Sequence, residues 1–582
     1  MEKSMNWSEQ YLDKETQIRD AHIVRLQSHS GANLLEKHRD LLDGALEAIS
    51  QRKYWNAFSE SPSPAAYGET AQVDGIAAVQ SLFSKNFPLQ QPGERTRVAT
   101  ENSPYGQNIN ISYPDCEPAA LIQAGLTAQT AWQEIGVAGR IGILLEGLTR
   151  LNKRSHEIAY AVMLTTGQNA LMAFQAGGPH AQERALETLA YAWKAMNEIP
   201  TDGIIWEKPG KHAQKLQKHY AIVGRGVALV IGCSTFPTWN TYPGLFAALA
   251  TGNPVIVKPH PNAVLSIALS INILREVIAE QGLDPNILTL AISHDHQLAQ
   301  HIATNPAVTS IDYTGSTSFG KWLAKHAPQA RIYAEMAGVN GIVIESTQQY
   351  QNLLRNLAFT LSLYSGQMCT TPQNIYCSRA GIQTDQGHRS FEQFGQDLAN
   401  AIQQLLADTK TACAILGAIN SQDTLQRIRQ AQQTGRVILD SQSLNHPEFA
   451  HAVVRTPILI AVDESDADIY EQECFGPITY LVATASTDRA LQLAESVICR
   501  QGALTLGVYS TNEAFIQQAI QACQRAKVAL SINLTQTTYV NQSAAFSDFH
   551  GTGANPAANS SYTNLAFVAD RFAIVQYRMH TD

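Results

Sequence analysis

Long apolar runs alternate with amphipathic stretches through the middle of this chain, and no other feature limits its fold as strongly. Val227-Ala228-Leu229-Val230-Ile231-Gly232 and Pro254-Val255-Ile256-Val257-Lys258-Pro259 are continuous runs of the kind made by strands buried on both faces. Gly244 to Ala250 and residues 263–281 suit helices. Residues 286–292 and Ser310-Ile311-Asp312-Tyr313 read as further strands. A second alternating block covers roughly 340–530, with Gly341-Ile342-Val343-Ile344, Thr456-Pro457-Ile458-Leu459-Ile460 and Thr505-Leu506-Gly507-Val508-Tyr509 as strand candidates. Such alternation implies parallel sheets with helices on both faces, so an α/β fold of two lobes is expected.

At 582 residues the chain exceeds one hydrophobic core, and two or three domains are expected. Residues 118–167 and 180–197 have helical texture. Residues 1–110 are less patterned: 34–49 has apolar residues at helical spacing, then Ser61-Pro62-Ser63-Pro64 breaks it, which suggests helices and loops wrapped on a larger body. The net charge of −9 argues against a nucleic-acid binder and against docking to anionic membranes. Lys208, Lys211, Lys215 and Lys218 crowd one stretch that reads more readily as a solvated hairpin or helix face than as a binding patch. The start, Met1-Glu2-Lys3-Ser4-Met5-Asn6-Trp7, is unlike a signal peptide, and no run is apolar enough for a transmembrane helix. Eight cysteines without a CxxC pair or zinc spacing read as reduced thiols of a cytoplasmic protein, and no metal site is expected.

Chemistry concentrates in a few places. Cys369 lies in Gly366-Gln367-Met368-Cys369-Thr370-Thr371, and Glu335 stands 34 positions upstream in Glu335-Met336-Ala337-Gly338. A thiol can attack a carbonyl carbon, a carboxylate can deprotonate water or the thiol, and an asparagine amide beside the thiol's own N–H can hold an oxyanion. Asn240, in Pro237-Thr238-Trp239-Asn240, is expected in a loop after a buried strand. Thr314-Gly315-Ser316-Thr317-Ser318-Phe319-Gly320 follows a strand and opens a helix, which suits either a pyrophosphate or an ordinary N-cap. Lys258 ends a buried strand, where ligands of open α/β sheets collect; a solvated strand-end lysine is the bland alternative.

The order Trp-Asn, Lys-Pro, Thr-Gly-Ser-x-x-x-Gly, Glu-x-x-Gly, Gly-Gln-x-Cys, then Glu473-Cys474-Phe475-Gly476-Pro477 resembles the aldehyde dehydrogenase superfamily across roughly 118–575. Trp55, Ser61-Pro62-Ser63-Pro64, Tyr67-Gly68-Glu69 and the tail from Ala544 to Pro556 look like that superfamily's phenylacetic acid degradation protein PaaN branch. The resemblance implies two Rossmann-like lobes: an extension at 1–115, a nucleotide-binding domain at 116–335 interrupted by an oligomerisation hairpin near 200–222, a catalytic domain at 336–534, and an oligomerisation or anchoring segment at 535–582. It implies Cys369 as nucleophile, Asn240 with the Cys369 N–H as oxyanion holder, and Glu335 as the base that activates water. For the dinucleotide it implies Lys258 at the adenosine ribose, Gly315, Ser316 and Gly320 around the pyrophosphate, Glu473 at the nicotinamide ribose and Phe475 beside the ring.

Departures from the family pattern matter as well. Thr238 is inserted before Trp239-Asn240, so the loop is expected to bulge. Pro261 stands where many NAD-preferring members have glutamate, which removes repulsion against a 2′-phosphate and favours NADP, with NAD possible. Ala337 replaces a glycine. The retained Glu335 favours release by water over CoA acylation, and the retained pair speaks against a non-catalytic scaffold. The branch resemblance implies a CoA-linked semialdehyde of the 3-oxo-5,6-dehydrosuberyl-CoA type from phenylacetate breakdown. A related benzoyl-CoA-pathway semialdehyde or a free aldehyde stays open. It implies a homodimer or dimer-based oligomer, and no role for nucleic acid or membrane.

Overall fold

The computed structural model describes residues 30–293, 297–551 and 553–581; the Met1–Trp7 opening lies outside them. One lobe holds a five-stranded parallel sheet in the spatial order Leu288–Leu290, Val255–Lys258, Val227–Ile231, Val308–Thr314, Arg331–Glu335. Its central strand explains the unbroken apolar run. Ala228 and Val230 enter one hydrophobic cluster, while Val227, Leu229 and Ile231 enter another on the opposite face. Helices cover both faces, so neither set of alternating side chains meets water. The strand order reverses between Val227–Ile231 and Val308–Thr314. Open α/β sheets bind ligands in the crevice beyond the strand ends at such a reversal.

The second lobe holds a seven-stranded sheet in the order Arg436–Leu439, Ile458–Asp463, Ile478–Thr484, Asn374–Ser378, Gly341–Ile344, Thr505–Tyr509, Ala529–Ile532. All neighbours are parallel except the edge strand Arg436–Leu439. Gly341–Ile344 divides its side chains in the same way: Val343 packs into one core, Ile342 and Ile344 into the other. Only five residues, 336–340, join the last strand of the first sheet to this one. The lobes are therefore coupled at the point where Glu335 ends its strand.

The expected helix at 34–49 is two helices, Ser30–Lys37 and Arg39–Gln51, broken at His38, whose Nε2 lies 2.8 Å from Glu146 Oε2. They pack on helices Gly136–Lys153 and Pro179–Asn197 of the first lobe. The four lysines lie on or beside a hairpin, Ile204–Lys208 and Gln214–Gly224, and the tail strand Phe572–His580 pairs antiparallel along its second arm. The strand read over 286–292 shortens to Leu288–Leu290, because Pro285–Ile287 form a turn of 3-10 helix capped by Asp284.

The expected loop at Asn240 is corrected too. Asn240 sits in the first turn of helix Pro237–Ala250, and its N–H donates to the Phe236 carbonyl at 3.1 Å. Thr238 causes no bulge: it takes a helical position, is fully buried, and its hydroxyl donates to the Gly177 carbonyl at 2.8 Å. Proline at the first helical position needs no N–H, so Pro237 starts this helix earlier than the apolar spacing from Gly244 suggested.

Candidate active site

The Cys369 loop follows three consecutive residues with left-handed backbone, Tyr364 (φ 51°), Ser365 (φ 48°) and Gly366 (φ 64°). Two of these bear side chains, a costly arrangement that persists only where the surroundings enforce it. Here the Tyr364 hydroxyl donates to the Thr166 carbonyl at 2.6 Å, and the Ser365 hydroxyl to carbonyls of Leu416 and Arg455. The Gln367 amide donates to the Ala418 carbonyl and accepts the Asn420 N–H. A Cβ on Gly366 would stand 2.3 Å from the Gly476 carbonyl oxygen, so the Gly-Gln-x-Cys and Phe-Gly-Pro motifs touch backbone to backbone. Beyond the turn, Asn340 Nδ2 donates to the Cys369 and Thr371 carbonyls while its Oδ1 accepts the Leu504 and Thr505 N–H groups.

Glu335 meets this loop. One Glu335 carboxylate oxygen, the Cys369 sulfur and a His550 ring nitrogen all lie within 4.8 Å of one another. His550 Nε2 is 2.9 Å from Glu335 Oε2, and both side chains are buried. Glu335 Oε1 is buried without a hydrogen-bond partner. Burial alone would raise the Glu335 carboxyl, but the His550 ring, followed by the Cys369 thiol and Tyr562 hydroxyl, outweighs it and holds the carboxyl below its ordinary range. The Cys369 thiol moves the other way. Burial first, then the Glu335 charge, pushes it well above a free cysteine.

Asn240 joins the cluster through its neighbours. Its Oδ1 accepts from the Cys233 thiol at 3.4 Å and its Nδ2 donates to Thr314 Oγ1 at 3.3 Å, where the Tyr562 hydroxyl also binds at 2.7 Å. His550, Tyr562 and Cys233 escaped the sequence reading. The first lies in the tail motif used there only to mark a branch. The tail is fixed by backbone pairing beside Glu335: the Met336 N–H donates to the Ala557 carbonyl at 2.6 Å, and Asn559 bonds both backbone groups of Ala334.

The residues expected at a dinucleotide lie at or near strand and helix ends in both lobes. Lys258 ends Val255–Lys258 and is buried. Ser316 caps helix Thr317–His326 by accepting the Phe319 N–H. Gly320 packs rather than cradles: a Cβ there would stand 2.4 Å from Met336 Sδ. Gly315 closes the loop, its N–H donating to the Glu335 carbonyl at 3.1 Å. From the other lobe, Glu473 Oε1 accepts the Gly338 N–H at 3.4 Å, and burial pushes its carboxyl up to about 7. The Phe475 carbonyl accepts from Arg427 Nε. A strand-end ammonium and a helix N-terminus suit a pyrophosphate, and a carboxylate suits a ribose diol. A cavity of about 750 Å³ touches the Cys369 loop, its lining including Trp239, Met368, Thr370 and His550. Tyr54, Trp55, Phe58 and Glu60 of the N-terminal extension form part of its wall.

A two-lobed α/β protein with a half-buried thiol beside a buried carboxylate where the lobes join has the architecture of an enzyme that oxidises carbonyl substrates through a covalent intermediate. The aldehyde dehydrogenase family model matches residues 93–568, and the chain belongs to that family. The structure superimposes with a TM-score of 0.93 on that of an NAD-dependent aldehyde dehydrogenase from Burkholderia multivorans, at 53% identity over 94% of this chain and 99% of that one. A 1-pyrroline-5-carboxylate dehydrogenase from Geobacillus sp. strain WCH70 is 23% identical over 504 residues, covering 83% of this chain and 88% of its own. A Thermus enzyme of that description with bound NAD shares the fold, at a TM-score of 0.71 and 17% identity, with 91% of this chain and 99% of that one covered. The protein is an oxidoreductase acting on aldehydes with a nicotinamide cofactor.

Proposed function

We propose that the protein oxidises a long semialdehyde, CoA-linked and of the phenylacetate-breakdown type, to a carboxylate released by water. Cys369 attacks the aldehyde carbon, while Asn240 and the Cys369 N–H hold the oxyanion. Lys258, the Gly315–Ser316 turn and Glu473 would hold a nicotinamide dinucleotide, which when bound would supply the hydride acceptor. Cys369 is left as a thioester, and Glu335 takes a proton from the water that cleaves it. The observation that carries the hydrolytic reading is the Glu335 carboxylate, one oxygen held by His550 and the other unpartnered, beside the Cys369 sulfur.

The cavity of about 750 Å³ supports an extended substrate, since a small aldehyde fills only a fraction of that space. The same volume speaks against a compact substrate such as the one named for the pyrroline-carboxylate relatives. On cofactor choice, Pro261 leaves room for a 2′-phosphate, which supports NADP. Glu101 lies nearby, but its oxygens accept the Val264 and Leu265 N–H groups at 2.6 and 2.8 Å and the Tyr113 hydroxyl at 2.6 Å, so it caps the helix that follows Pro261. Use of NAD is supported instead by the NAD-dependent relative from Burkholderia multivorans. A dimer is supported by the tail sheet: Val575, Tyr577 and Met579 lie exposed on one of its faces, and the register places Ile205 on the same face. Among the described residues no helix is long and apolar enough to cross a membrane, and the eight cysteines are free thiols, which supports a reducing, cytoplasmic setting.

Purified enzyme with NAD or NADP and a panel of free and CoA-linked aldehydes tests the reading. Reduced dinucleotide and a carboxylate product without added CoA are expected, with the CoA-linked semialdehydes preferred. Turnover only with free CoA, giving an acyl-CoA, would overturn the hydrolytic step. Glu335→Gln should leave one burst of reduced dinucleotide per site followed by slow turnover.

A further inference from the structure

We propose that His550, supplied by the C-terminal tail 215 residues away in sequence, is the positioning residue for Glu335. Its Nε2–H ties down Oε2 and thereby leaves Oε1 as the oxygen that takes the proton from water. This role rests on the hydrolytic reading above.

A buried carboxylate without a partner rotates freely, and a general base works only with one oxygen held toward its water. Here one oxygen is tied at 2.9 Å and the other accepts nothing. The clamp itself is held from several sides. Trp239 meets the His550 ring edge-on at 4.5 Å, and the Tyr562 ring lies 5.6 Å away. The His550 carbonyl accepts the Tyr562 N–H at 3.0 Å. Arg184 Nη1 donates to the Asp548 carbonyl two residues earlier, and its guanidinium lies 5.5 Å over Trp239. The titratable groups at the ring are thus Glu335 and Cys369 from the two lobes and Tyr562 from the tail, with Arg184 behind Trp239 and Cys233 beyond Cys369.

The proton inventory closes without a further reagent. Water oxygen bonds to the thioester carbon as one of its protons passes to Glu335 Oε1. The carbon–sulfur bond breaks and Cys369 leaves as thiolate, to which Glu335 returns the proton. The product acid releases its own proton to solvent, and His550 keeps its Nε2–H bond throughout.

The test is His550→Gln in the full-length enzyme, with folding checked by circular dichroism and His550→Asn as a second variant. The burst of reduced dinucleotide should persist while steady-state turnover falls about tenfold or more. The acid limb of the pH–rate profile should move up, because burial of Glu335 is then less well opposed. Hydroxylamine, which cleaves a thioester without a general base, should restore turnover, an effect that a merely structural role would not produce. Turnover and pH profile like those of the parent, in an enzyme that does release the free acid, would overturn this role and leave the hydrolytic reading standing. Loss of the burst together with turnover in a folded variant would overturn it as well, by placing His550 on the attack step.

Discussion

Glu473 shows how burial alone gives a carboxylate a working range. Desolvation lifts it to about 7, with the Gly338 N–H and Arg427 pulling it down and Glu335 adding to the rise. Below that value it is protonated, and in the proposed role it must give up the proton to accept both hydrogens of a ribose diol. The KM for the dinucleotide should therefore climb about tenfold per pH unit below about 7, and Glu473→Gln should flatten that dependence. Steady-state kinetics between pH 5.5 and 8.5, roughly the window set by that value, provide the check. An unchanged slope in the variant would remove Glu473 from the binding site. Cys369 and Glu335 could be read from their motifs, because thiol and base are defined by residue type and order along the chain. His550 could not: a histidine in a glycine-rich tail carries no mark of the carboxylate it will meet.

At the scale of elements, the extension before residue 61 contributes a wall as well as bulk. Ala57 and Phe58 donate their N–H groups to buried Glu183, whose carboxyl burial pushes up to about 7, and Trp55 meets Phe546 of the tail edge-on at 4.7 Å. Trp55→Ala should raise KM for long aldehydes about tenfold, the worth of one lost aromatic contact, and leave kcat/KM for propanal within about twofold. Equal losses for both substrates would argue against a substrate wall. The parallel strands were legible because burial on both faces leaves a continuous apolar run, as at Val227–Ile231. The start of helix Pro237–Ala250 was not, since Pro-Thr-Trp-Asn has no helical periodicity and is held by the Thr238 contact with Gly177, made elsewhere in the fold.

Across the whole molecule, the tail ties the two lobes and the hairpin into one unit. Arg571 makes a bidentate pair with Asp312 on the strand Val308–Thr314, both contacts 2.7 Å and both residues buried, and its guanidinium stacks 4.0 Å over Tyr333. Removing one partner strands a buried charge at a cost of about 3–5 kcal/mol. Arg571→Met should lower the thermal-inactivation temperature sharply, and adding Asp312→Leu should recover much of it. Failure of the double variant to recover would mean that the arginine acts through packing alone. On the exposed face of the tail strand, Tyr577→Glu should shift the protein toward monomer in sedimentation velocity; an unaltered oligomer would exclude that face as the interface.

Residue order alone determined the class of fold, the thiol, its carboxylate and the family resemblance, because strand burial and catalytic motifs are written in local runs and spacings. The tertiary structure alone decided that Glu335 is clamped by a histidine from the tail, that Asn240 rides on a helix, and that Glu101 caps the helix beyond Pro261. Each of these depends on contacts between segments more than sixty residues apart in sequence. No window of sequence encodes such a meeting, because the energy that selects it comes from burying both partners together.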